Sequence, residues 1–72
     1  MTTETFGQRL RRLRLAAGYS TQLEFAQRVC VTNAAVCYWE ADRKLPRQYL
    51  LTRLARVLKT PEPYLRYGVP AQ

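Results

Sequence analysis

The twenty residues TQLEFAQRVCVTNAAVCYWE, 21–40, constrain the fold more than any other part of the chain. Thr21 and Glu24 stand in the pattern T-x-x-E. In that pattern the hydroxyl accepts from the backbone N–H three residues on and the carboxylate reaches back to the threonine N–H, so a helix starts just before Gln22. Phe25, Ala26 and Val29 then share one face, and Ala26 is small enough for another helix to cross closely. Beyond Val31, Thr32 is suited to cap a second helix over about 33–41. At 100° per residue, Thr32, Ala35, Val36 and Trp39 fall on one arc, and Asn33, Ala34, Cys37 and Tyr38 on the opposite one. The result is two short helices joined by a tight turn.

The first arc has the apolar bulk to pack on the preceding helix. The second holds short or flat side chains, one amide and one phenol. Periodicity alone also fits an ordinary helix pair with a solvated face, but Lys and Glu are usual on such a face. Cys37 and Ala34 suit a face that meets a partner closely. The charge indicates which kind of partner: 12 Lys and Arg stand against 5 Asp and Glu, a net charge of +7, and the pI is about 10.1. Ten of the twelve cations are Arg, whose planar fork matches phosphate. A helix that enters the major groove of DNA fits both observations.

Seventy-two residues allow one small domain. A chain of this size buries only about 60% of its unfolded surface, so its stability is marginal. Phe6, Leu10, Leu13 and Ala17 form an apolar stripe on a helix of about 4–17, ended by Gly18, with Arg9, Arg11 and Arg12 off the stripe. Such a basic amphipathic helix also suits a membrane surface, but its apolar face is modest and four more elements need it for a core. Residues 41–45 read as a loop in which Asp42 tolerates a left-handed backbone. Pro46 opens a helix of about 46–58 whose buried stripe is Leu51, Leu54, Ala55 and Leu58. Thr60 caps a last helix of about 61–66, which starts at Pro61, includes Tyr64 and Leu65 and stops by Gly68; Val69–Gln72 is a frayed tail. The expected architecture is all-α, with five helices in one domain over 1–72.

Several function classes are disfavoured. Cys30 and Cys37 are the only cysteines and histidine is absent, which gives neither a zinc spacing nor a disulfide framework and fits a reducing cytoplasm. No signal peptide or membrane-length apolar run is visible. A glycine-rich phosphate loop and a nucleophile–base pair are also missing, so no enzyme, cofactor, metal or small-molecule ligand is expected. Aromatics interleaved on a sheet, as in single-strand or RNA binders, do not occur.

Four blocks resemble a known family. FGQRLRRLR at 6–14, TQLEFA at 21–26, VTNAAVCYWE at 31–40, and Pro46 followed by LLTRLARVL at 50–58 are similar to the first four helices of the Cro and cI phage repressors, the XRE family of helix-turn-helix proteins. The resemblance implies a lambda-repressor-like fold and a stand-alone, Cro-like regulator of transcription. Antitoxins of toxin–antitoxin pairs and restriction-modification controllers share that fold and are the alternatives. Three departures stand out: Cys30 and Asp42 occupy turns where the family carries glycine, and 18–21 is one residue longer.

Roles follow for particular residues. Asn33, Ala34, Cys37 and Tyr38 are the candidates to read bases, with Asn33 pairing to adenine and Ala34 touching a thymine methyl. Gln22 and Thr32 at helix starts, with Arg43, Lys44 and Arg47, are the candidates for phosphate contact, while Arg53 and Arg56 are expected to be solvated charges. The resemblance pairs Glu40 with Arg14 as a structural ion pair. It also implies a homodimer on double-stranded operator DNA, joined near the last two helices through Glu62, Pro63, Tyr64 and Tyr67, with Tyr64 as anchor.

Overall fold

The computed structural model describes residues 4–68. They form five helices: α1 Phe6–Ala16, α2 Gln22–Val29, α3 Asn33–Glu40, α4 Gln48–Leu58 and α5 Glu62–Tyr67, with no strand among the described residues. α3 packs on α2 and α1, α5 on α4 and α1, and α2 on α4. Leu10, Phe25, Val29, Val36, Leu54 and Leu65 are wholly enclosed, so every helix contributes to one core.

The starts of α1, α2 and α3 follow local capping chemistry, and those of α4 and α5 do not. α2 begins where Thr21 and Glu24 place it, with both bonds of the capping box made. α1 begins at Phe6 rather than residue 4, because Thr5 caps it: its side chain takes the Gln8 N–H, and the Gln8 side chain takes the Thr5 N–H. α4 begins at Gln48, with Arg47 at the N-cap. Pro46 is not its first residue; it is buried, and it lines one groove with Phe6 and Leu51. α5 begins at Glu62, with Pro61 rather than Thr60 at the N-cap, and the Thr60 hydroxyl donates to the Leu58 carbonyl at 3.1 Å. The tail 69–72 lies outside the described residues.

The helix ends share one device. After α1, α2, α3 and α4 a residue turns left-handed, at Gly18, Cys30, Asp42 and Lys59. In each case its N–H and the next one bond back to carbonyls three and five residues earlier, which supplies donors for the last turn. Only the first of these four is glycine, the residue with no steric penalty there. Ala17, expected on the apolar stripe, instead serves as the exposed cap before Gly18.

Backbone meets backbone where α1 crosses the end of α3. A Cβ on Gly7 would stand 2.4 Å from the Glu40 carbonyl oxygen, so only glycine permits this approach. Ala26 is buried in the core, as its size suggests, but the closest crossing lies at Gly7.

Candidate nucleic-acid interface

The orientation of α3 is set from within. Thr32 caps it by accepting the Ala35 N–H at 3.1 Å. Val36 is wholly buried and Trp39 almost so, while Ala35 is half-buried. These anchors leave Asn33, Ala34 and Cys37 exposed, with Tyr38 at 44% exposure. The two arcs read from the sequence are thus the inner and outer faces of α3.

The end of α3 is fixed by a buried ion pair. Arg14 Nε donates to Glu40 Oε2 at 2.7 Å, and both side chains are about 5% exposed. Arg14 Nη1 donates to the Tyr19 carbonyl at 2.8 Å, and Gln22 Nε2 donates to Glu40 Oε1 at 3.0 Å. No buried side-chain polar atom lacks a partner among the described residues. A buried pair persists only with such supplementary bonds, because desolvation opposes it.

The Gln22 side chain therefore serves this network. What α2 offers to an anion is its backbone. The capping box engages the N–H groups of Thr21 and Glu24, while those of Gln22 and Leu23 have no acceptor within the helix. Glu24 sits at the same helix start, and bonds from Ser20 and then Thr21 hold its carboxyl below the ordinary carboxylate range.

Beyond α3, Arg43, Lys44 and Arg47 are all exposed. The Lys44 ammonium lies 5.6 Å from the centre of the Tyr38 ring, so this cation rests against the outer face of α3. Thr32, whose oxygen caps α3, is also exposed.

Several arginines are committed elsewhere. Arg9 is buried and donates to the carbonyls of Leu65 at 2.9 Å and Arg66 at 3.1 Å, satisfying the end of α5. The signal was available: Arg9 stands three residues after Phe6 and four before Leu13, on the apolar stripe rather than off it. Arg53 donates to the Val29 carbonyl at 3.2 Å and closes the end of α2, so it is more than a solvated charge. Arg12 binds Glu4 through two nitrogens; the Glu4 carboxylate holds the guanidinium above its ordinary range, and the same bonds hold Glu4 below the ordinary carboxylate range.

On the far helices, Tyr64 is half-buried and its hydroxyl accepts from Arg12 at 2.7 Å. Glu62 accepts from Gln48, and Pro63 is exposed. Tyr67 is 65% exposed and lines an apolar groove with Phe6, Leu45, Pro46 and Leu51.

A helix-turn-helix domain model matches residues 5–66. The chain belongs to that family. It is similar to the crystal structure of the P22 c2 repressor protein in complex with synthetic operator 9T, at a TM-score of 0.85 and 28% identity, over 93% of this chain and all of that one. It is also similar to the solution structure of the DNA-binding domain of the P22 c2 repressor, at a TM-score of 0.79 and 29% identity, over 90% of this chain and 84% of that one. No curated protein matches it. The Cro- and cI-type resemblance and the all-α repressor fold are therefore properties of this helix-turn-helix protein. Among the described residues no helix is long and apolar enough to cross a membrane, and no cluster of His, Cys, Asp and Glu could hold a metal ion.

Proposed function

We propose that this chain binds double-stranded operator DNA sequence-specifically and represses transcription there, without enzymatic activity, in the bacterial or infected-host cytoplasm. The observation that carries the reading is the outer face of α3. Asn33, Ala34, Cys37 and Tyr38 are exposed on a helix locked from behind by Val36, Trp39 and the Arg14–Glu40 pair. The similar solved structures support it, since one of them holds a repressor on its operator.

In this mechanism α3 lies in the major groove. Asn33 accepts from adenine N6 and donates to N7, worth about 1–3 kcal/mol of discrimination. Ala34 meets a thymine methyl, Tyr38 packs on a methyl or donates to a phosphate, and Cys37 packs at the groove wall. Arg43, Lys44, Arg47, Thr32 and the backbone N–H groups at Gln22 bind phosphates and supply affinity without sequence information. Two copies related by a two-fold axis reach half-sites about 34 Å apart. They meet through the α5 surface of Glu62, Pro63, Tyr64 and Tyr67, where Tyr67 offers the more exposed ring. Occupying a promoter then excludes polymerase.

Selection from a random duplex pool at near-physiological salt tests this. A single recurrent, two-fold symmetric site is expected, and Asn33→Ala is expected to relax preference at one adenine per half-site. A pool with no enriched sequence defeats the proposal. Sedimentation equilibrium with and without the selected duplex tests the dimer, which a one-to-one complex would contradict.

A further inference from the structure

A single side chain ties the loop leaving α3 to the start of α1. Asp42 is left-handed at φ 60°. Its carboxylate accepts from Thr5 Oγ1 at 2.7 Å and from the Gly7 N–H at 2.8 Å. Thr5 is the N-cap of α1 and Gly7 its second residue, so the negative charge sits at the positive end of that helix. The following N–H, that of Arg43, is bonded to the Tyr38 carbonyl at 2.9 Å, and Lys44 lies against the Tyr38 ring. The path of residues 42–44 is thus referenced to α1 on one side and to the outer face of α3 on the other.

We infer that Asp42 is a positioning residue for nucleic-acid binding: its tether to α1 aims Arg43 and Lys44 at the DNA backbone beside the groove that α3 enters. This rests on the DNA-binding reading above. An acid between α3 and two phosphate-binding cations opposes a polyanion unless the bonds its oxygens accept offset that repulsion. Here it accepts two bonds from the start of another helix.

The test uses the full chain and a labelled, mixed-sequence duplex of about two helical turns, titrated across a salt series. Asp42→Gly keeps the left-handed turn and removes the tether. Because the lost carboxylate makes the chain more positive, long-range attraction alone would strengthen binding. The tether predicts the opposite sign: about tenfold weaker binding, with the slope of log affinity on log salt reduced by about 1. Asp42→Asn loses the same charge but keeps an oxygen for the Gly7 N–H, and is expected to bind at least as well as wild type. In an Arg43→Ala, Lys44→Ala background, Asp42→Gly is expected to add nothing. Melting curves establish that each variant is folded at the assay temperature, and a merely structural role leaves the salt slope of folded protein unmoved. Asp42→Gly binding as tightly as wild type with an unchanged slope, or Asp42→Asn binding as poorly as Asp42→Gly, overturns the inference. A wild-type chain that binds no duplex at low salt would instead remove the DNA-binding reading, and the inference with it.

Discussion

The turns on either side of α3 have the same backbone and different side-chain surroundings. Cys30 before it and Asp42 after it are both left-handed, at φ 66° and 60°, and both carry the same pair of returning N–H bonds. A non-glycine residue there costs about 1 kcal/mol. Asp42 offsets that cost with two bonds to the start of α1, and just before it Glu40 is held by Arg14 and Gln22. Cys30 is an exposed, free thiol. The end of α3 is therefore fixed by two carboxylates that bond to other helices, whereas its approach is fixed by local capping and by one bond across the fold, from Arg53 to the Val29 carbonyl.

The contrast breaks first at Glu40. Glu40→Ala leaves Arg14 buried without its carboxylate, a cost of about 3–5 kcal/mol in a domain of small total stability. Loss of the cooperative thermal transition, or a large fall in Tm by circular dichroism, is expected. An unaltered Tm would mean that the pair does not hold the end of α3. Gly7→Ala strikes the same junction through the backbone. Its Cβ would meet the Glu40 carbonyl at 2.4 Å, so α1 and α3 must part, at a cost of about 1–3 kcal/mol.

The two turns themselves should respond to glycine with opposite signs. Cys30→Gly relieves the left-handed penalty and loses no side-chain bond, so it stabilises by up to about 1 kcal/mol, less the entropy of a more flexible unfolded chain. Asp42→Gly relieves the same penalty but loses the charge-assisted bonds to Thr5 and Gly7, each worth about 1.5–3 kcal/mol, so it destabilises on balance. Urea midpoints of the two variants moving in the same direction would erase the difference between the turns.

The sequence carried these features unequally. Thr21, Glu24 and Thr32 announce the starts of α2 and α3 because a cap involves residues three apart. The outer arc of α3 was legible for the same reason, since one helical period separates Asn33 and Ala34 from Cys37 and Tyr38. Arg14 was matched to Glu40 only through the family resemblance, since nothing local favours it over its neighbours. Asp42 is legible as a turn former, but not as an acceptor for a residue 35 positions earlier, and Arg9 gives no sign of the α5 carbonyls 56 positions on. At Pro46 the local rule for helix starts competes with burial of the residue, a fact of the assembled fold.

The smallest effect lies at the start of α2 and depends on pH. Bonds from Ser20 and Thr21 depress the Glu24 carboxyl below its ordinary value of 4.5 in the folded chain. A carboxylate with a depressed folded value binds fewer protons folded than unfolded, so its stabilisation is complete above the ordinary value and is lost as pH falls through the folded one. Glu24→Gln is therefore expected to be slightly less stable than wild type at neutral pH, and the gap should close below pH 4.5. Glu4, depressed by Arg12 at the start of α1, should behave alike. Neither touches the end of α3, so neither variant should alter the salt slope of duplex binding. A slope that changed with Glu24→Gln would mean that the capping carboxylate, and not only the backbone N–H groups at Gln22, sets the phosphate contacts at the start of α2.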